Sequence, residues 1–197
     1  DCSTRRVVDL VGLASVAPED PEPEFVDVNR LGEAVLTLQE NNHAVISIDT
    51  SGEALYRRGH KLEVNRAPMR ETMASMFLYQ CGYRGTEPVL DPMCGSGTLV
   101  IEAAEFAIGL NPGRDRPFAF ETLATFDPDI WAKMRDARDL KMPTVKFFVS
   151  DRDAGAIRMA KANAERAGVS GVVEFRQRAI GNLVRPEGPT GLVIVNP

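Results

Sequence analysis

The sequence predicts an α/β fold built on a doubly wound parallel sheet, and three observations carry that expectation. Between Pro88 and Ala104 a short apolar run, Val89 and Leu90, meets Asp91 and a glycine-bearing turn, then passes directly into a helical pattern. A second apolar run, Val145-Lys-Phe-Phe-Val149, is followed by Asp151 and by a periodic segment from Ala154 to Ala167 that closes at Gly168. Two further β-rich runs, Val172 to Phe175 and Gly191 to Val195, complete an alternation of strands and helices that only a parallel sheet with crossover connections accommodates well.

Composition sets the outer bounds. With 197 residues, 44% of them hydrophobic, the chain can bury one core and contribute part of a second unit. No apolar run is long enough to span a bilayer, and Asp1-Cys-Ser-Thr-Arg-Arg6 does not read as a signal peptide. Cys2, Cys81 and Cys94 lack metal-ligand spacing, so the expectation is reduced thiols in a cytoplasmic protein with no metal and no membrane partner. Cys94 has no nearby His, which favours packing over catalysis. A net charge of −5 argues against a surface that coats nucleic acid everywhere, while leaving room for a local basic face.

In chain order, residues 1–12 carry a short helix-like pattern, and Ala17 to Glu24 is a proline-rich acidic loop. Phe25-Val-Asp-Val28, Ala34-Val-Leu-Thr-Leu38 and Ala44-Val-Ile-Ser-Ile48 read as strands, the last two joined by a hairpin turn at Gln39-Glu-Asn-Asn42. Together they suggest the end of a small antiparallel α+β domain. From Arg57 to Arg70 the chain turns basic beside Tyr56, with Arg57, Arg58, Lys61 and Arg66 as candidates for RNA phosphates. The same residues also suit a linker whose arginines pair with the acidic body, and the sequence leaves both readings open.

A helix beginning near Pro68 follows, with Met69, Met73, Met76, Phe77 and Tyr79 expected to turn into the core and Gly82 to end it. After the glycine loop, Leu99, Val100, Ala103, Ala104, Ala107 and Ile108 define one apolar helix face, which Gly109-Leu-Asn-Pro-Gly113 stops. The insertion from Phe118 to Leu140 holds Phe118, Phe120, Phe126 and Trp131, read as packing aromatics. Asp153 is placed as the N-cap of the helix from Ala154.

The chemistry of the glycine loop narrows the ligand. Loops at the carboxyl ends of parallel strands bind ligands, and helix starts offer free N–H groups. Gly95 and Gly97 let a ligand approach the backbone. Asp91 would repel phosphate but suits an ammonium group or a ribose hydroxyl, and Val100 stands where a dinucleotide fingerprint wants its third glycine. A nucleoside carrying an amino acid, S-adenosylmethionine, fits these requirements. Asp151, ending the second strand of the sheet, would accept hydrogen bonds from the ribose hydroxyls.

Asp91-Pro-Met-Cys-Gly-Ser-Gly-Thr98, followed by Ile101-Glu-Ala-Ala104, resembles the cofactor loop of the family that pairs an RNA-binding THUMP domain with a class I methyltransferase. The resemblance implies a class I, Rossmann-like, S-adenosylmethionine-dependent methyltransferase, incomplete at the C-terminus. Part of an α+β THUMP-like domain would precede it, with the two parts at 1–60 and 61–197. It implies cofactor contacts at Asp91, Pro92, Cys94, Gly95, Gly97, Thr98 and Asp151, with Glu71 and Thr72 near the methionine end. Ala179 falls where similar enzymes carry an acid for the adenine amino group, so backbone groups near Ala179 and Ile180 are expected to serve instead. Asn196 and Pro197 match the first half of the Asn/Asp-Pro-Pro-aromatic motif that holds an exocyclic amine. The implied reaction is methyl transfer to guanine N2 of large-subunit ribosomal RNA. Transfer to adenine N6 of DNA or RNA, a tRNA substrate and a catalytically inactive RNA-binding protein remain as alternatives.

Overall fold

The computed structural model describes residues 34–39, 43–62, 69–136 and 140–196. The expected features at residues 1–12, 17–24 and 25–28, and the site residues Arg66 and Pro197, lie outside the described residues. The chain falls into two units, one from 1–53 with 117–128 and one from 54–116 with 129–197, whereas the sequence places its division after residue 60.

In the first unit β1 (Ala34–Gln39) and β2 (His43–Ile48) pair antiparallel, with Ala34 opposite Ile48 and Gln39 opposite His43, which is the hairpin the sequence predicts. Beyond β2 the Asp49 carboxylate accepts the Ser51 N–H at 2.8 Å. The Phe120 N–H donates to the Thr50 carbonyl at 3.2 Å, tying the second stretch of this unit to the first. There the rings of Phe118 and Phe120 stack at 5.3 Å and Phe126 packs at 6.0 Å from Phe120, so these aromatics pack on one another as expected.

The second unit is the α/β body. Its elements are α1 (Glu71–Gln80), β3 (Val89–Asp91), α2 (Thr98–Ile108), α3 (Pro128–Asp136), β4 (Phe147–Asp151), α4 (Ala154–Arg166), β5 (Val173–Gln177) and β6 (Leu192–Val193). The four strands form one parallel sheet in the order β5-β4-β3-β6. Succession reverses between β3 and β6, the kind of switch point at which open α/β sheets bind ligands.

Val89 and Phe147 are fully buried, Val149 is 2% exposed, and all three pack with Val100, Ala103 and Ala104 of α2 and Ala160 and Ala164 of α4. Every residue of α2 from Thr98 to Glu105 is buried, so over its first two turns the apolar stripe read from the sequence is only one side of an enclosed helix, while Phe106 in the last turn is 60% exposed. Burying Leu99, Val100 and Ile101 contributes about 1.5–3 kcal/mol each relative to exposure.

Three expectations change. β4 begins two residues later than predicted and includes Asp151, because its ladder with the three-residue β3 starts at Val89 opposite Phe147. Asp151 is therefore a paired strand residue, opposite Gln177. β6 is confined to Leu192 and Val193, the two residues that meet β3. On α1, Met73, Met76 and Tyr79 are exposed at 42%, 48% and 79%, while Glu71, Ala74 and Leu78 point inward. The inward face is set by these side chains, rotated about the helix axis from the face that carries the methionines.

Candidate functional site

The loop from Asp91 to Thr98 leaves β3 at the switch point and is held from four sides. Asp91 Oδ1 accepts the Met93 N–H at 3.0 Å, and the Ser150 carbonyl on β4 accepts the Cys94 N–H at 3.0 Å. Asp151 Oδ2 accepts the Gly95 N–H at 3.0 Å. From α4, Asn163 donates its side-chain N–H to the Ser96 carbonyl at 3.1 Å, and Arg166 in turn donates to Asn163 Oδ1 at 2.5 Å. Asn163 is fully buried, and the sequence reading missed it. Its signal was there: a lone amide on the alanine stripe that α4 turns inward.

The two glycines have different work. A Cβ at Gly95, at φ 53°, would meet no protein atom within 4 Å, so the space over this backbone is open to a ligand. A Cβ at Gly97, at φ 84°, would come 3.0 Å from the Ala160 Cβ. Gly97 thus serves helix packing as well as the left-handed turn into α2. Since α2 starts without a side-chain cap, its first N–H groups face the loop.

Asp91 is 2% exposed. Burial pushes its carboxyl up to about 6, the Met93 N–H pulling it down and the nearby Asp151 adding to the rise. A buried acid so placed is ready to pair with a cation. Pro92 is buried, and Cys94 and Thr98 are each 7% exposed, so they shape the loop from beneath. Burial pushes the Cys94 thiol up, in keeping with a packing role.

Asp151 sits at the next strand end with Oδ1 accepting the Asp153 N–H at 2.9 Å, and Asp153 caps α4 by accepting the Gly155 N–H at 2.8 Å, as expected. Beside Asp151 opens a cavity of about 520 Å³, lined by Arg152, Gln177, Arg178, Ala179, Asn182 and Val184. The carbonyls of Ala179 and Ile180 accept the Asn182 and Leu183 N–H groups at 2.9 and 3.0 Å, and each keeps its second lone pair. Because the strands are parallel, exposed Asn196 beyond β6 emerges at the same end of the sheet as Asp91.

The basic stretch is divided between surface and interior. Arg57 is exposed. Arg58 instead lies inside: its Nε and Nη2 donate to the two carboxylate oxygens of Glu102 at 3.2 Å each, with a side-chain exposure of 11%. Ser75 also donates to Glu102. Lys61 donates to the Met69 carbonyl at 2.5 Å. Two of the residues expected to face RNA therefore anchor their own segment to the fold.

Next to this pair, Arg114 donates to Glu105 at 2.5 Å and the His60 Nδ1 lies 3.7 Å from the same oxygen. His60, Glu102 and Glu105 bring their ligand atoms within 4.8 Å of one another. Two guanidinium groups already neutralise the two carboxylates, which suits an ion-pair cluster better than a cation site. Burial and Arg114 lower His60 to about 4, and burial raises Glu105 to about 7 against the pull of Arg114.

Residues 58–197 match the family model described as UPF0020, RMKL-like, methyltransferase domain. The Ribosomal RNA large subunit methyltransferase K/L of Vibrio campbellii is 40% identical over 162 residues, covering 78% of this chain and 23% of that protein. The chain thus spans about a quarter of that relative's length. Among solved structures, SMU.472, complexed with SAH, superposes with a TM-score of 0.68 at 31% identity, covering 78% of this chain and 41% of that one. A predicted N6-adenine-specific DNA methylase from Listeria monocytogenes gives 0.69 at 34% identity, with the same coverage.

Proposed function

This chain belongs to the UPF0020 family of RMKL-like methyltransferase domains, and from that membership we propose that it binds S-adenosylmethionine at the ends of β3 and β4 and methylates guanine N2 in large-subunit ribosomal RNA. The observation that carries the cofactor site is the pairing of two carboxylates across one glycine loop. Asp91 is buried where only a cationic group or a donor would compensate it, and Asp151 presents a carboxylate at the neighbouring strand end. The first suits the ammonium of the methionyl part and the second the ribose hydroxyls. Gly95 leaves the intervening space free. SAH bound to a structural neighbour at 31% identity supports the same ligand class.

The cofactor, when bound, supplies a methyl group on a sulfonium. What this chain contributes is alignment. The Asn196 side-chain oxygen would accept a hydrogen bond from the exocyclic amine of the target base, turning the nitrogen lone pair toward the methyl carbon. Asn196 would hold the amine in that orientation while it takes the methyl group from the sulfonium, which would be left a neutral thioether, and the amine proton would pass to solvent. The base must leave its stack to reach this pocket. Arg57 is exposed, and we take it as the residue of this stretch that would meet an RNA phosphate.

The ribosomal RNA assignment draws on the K/L methyltransferase relatives. The Listeria neighbour favours adenine N6 as the second reading, since one amide acceptor can hold either amine. The test is methyl transfer from labelled S-adenosylmethionine by the full-length protein to ribosomal RNA, tRNA and DNA in parallel, followed by nucleoside mass analysis. N2-methylguanosine in ribosomal RNA is the expected product. N6-methyladenine would replace the substrate, and no label on any nucleic acid would favour an inactive RNA-binding protein.

A further inference from the structure

The cavity beside Asp151 has a wall whose chemistry points one way. It is formed where β4 and β5 end together: the Arg178 N–H donates to the Asp151 carbonyl at 2.8 Å, and the Gln177 side-chain N–H donates to the Arg152 carbonyl at 3.3 Å. A nucleoside whose ribose is held by Asp151 would have this space of about 520 Å³ beside it for its base. Its polar side chains are two guanidinium groups, Arg152 and Arg178, and two amides, Gln177 and Asn182. Among the described residues no carboxylate lines it, and the Ala179 carbonyl has one of its two lone pairs occupied by the Asn182 N–H.

A guanidinium can only donate, in a planar fork, and its flat face stacks on aromatic rings. Such a wall is suited to the acceptors of a purine, its ring nitrogens and any oxygen at C6, and it offers no charged acceptor to an exocyclic amine. An Arg fork matches the O6 and N7 pair of a 6-oxopurine better than the N6 and N7 pair of adenine.

We propose that Arg152 and Arg178 recognise the cofactor base by stacking and by donation, so that this site does not require the adenine amino group and accepts a 6-oxopurine nucleoside in its place. The proposal rests on the cofactor assignment above. It makes Arg152 and Arg178 specificity-determining residues, and it names a ligand class, inosyl thioethers and sulfoniums, beyond the adenosyl compound.

The experiment is calorimetric titration of the full-length protein with S-adenosyl-L-homocysteine and with S-inosyl-L-homocysteine, the same molecule with hypoxanthine for adenine. The inosyl compound is expected to bind within about threefold of the adenosyl compound, or more tightly. Arg178→Gln should weaken the inosyl compound roughly tenfold, the order expected for losing one forked purine contact. Ala179→Asp, which adds an acceptor to the wall, should shift preference toward the adenosyl compound by at least about tenfold. Arg152→Gln provides a second wall variant, and thermal melting shows that each variant is folded. If the wild-type protein binds the adenosyl compound and rejects the inosyl one by thirtyfold or more, the proposal is overturned while the cofactor assignment stands. If neither compound binds, both fall.

Discussion

The carboxylate of Asp151 and the amide of Gly95 are joined by a 3.0 Å hydrogen bond that ties the end of one strand to the loop leaving another. The same carboxylate holds the Asp153 N–H at 2.9 Å, so one side chain sets both the glycine loop and the start of α4. Asp151→Ala should therefore lower affinity for S-adenosylmethionine by about 100-fold or more, the loss expected from two hydrogen bonds to a charged acceptor. Calorimetry on the full-length protein reads this directly. Unchanged affinity would remove the ribose from Asp151.

Asp91 predicts a pH dependence. With its carboxyl raised to about 6, it is charged above that pH and neutral below. A cationic ligand favours the charged form, so affinity for S-adenosylmethionine should fall as pH drops through 6, and binding near pH 6 should release a proton. Titrations in buffers of different ionisation heat measure that proton. Asp91→Asn should bind more weakly at pH 8 and lose the pH dependence; a pH profile that survives the substitution would point to another group.

Gly95→Ala and Gly97→Ala separate ligand space from packing. Both positions have positive φ, so each alanine costs about 1 kcal/mol in backbone strain. Only Gly97→Ala also meets Ala160, at 3.0 Å, and overpacking adds about 1–3 kcal/mol. Denaturant melts should show Gly97→Ala as the less stable variant. Cofactor titration should show Gly95→Ala as the poorer binder relative to its stability.

The Arg58 and Glu102 pair should behave as a buried ion pair. Arg58→Ala leaves Glu102 charged in the interior and should cost about 3–5 kcal/mol. Arg58→Met combined with Glu102→Leu should recover most of it, because both charges leave together. Thermal melts of the single and double variants check this, and a double variant no more stable than Arg58→Ala would contradict it.

Exposed Arg57 is tested on RNA. Arg57→Ala should weaken RNA binding across sequences and reduce the salt dependence by about one phosphate contact. A filter-binding salt series measures it.

Much of this was legible in the sequence where local and global signals coincide. The loop from Asp91 to Thr98 announces itself because glycine, acid and helix pattern must all be adjacent in sequence to make a strand-to-helix turn. Asp153 is equally readable, since a cap acts on residues two positions away. The inward face of α1 was not, because Met73 and Met76 are as apolar as any core residue and only tertiary packing decides that Ala74 and Leu78 face α2. Arg58 was ambiguous for the same reason. Its partner Glu102 lies 44 positions away, and no local rule links an arginine before one helix to a glutamate inside another. Asn163 needed both views at once, its place on the α4 stripe and the carbonyl of Ser96 it serves.

The strand order also has a consequence for synthesis. β3, with the glycine loop at its end, gains its first neighbour only when β4 exists and its second when Leu192 and Val193 are made. At about 5–20 residues per second, the interval from β3 to β6 is on the order of 5–20 s. During that time the apolar segments on either side of the loop leave the ribosome before their lasting partners. Their shelter then depends on α1 and α2 associating early and on chaperones, and codon choice between β3 and β6 becomes a lever on how much chain is lost to aggregation.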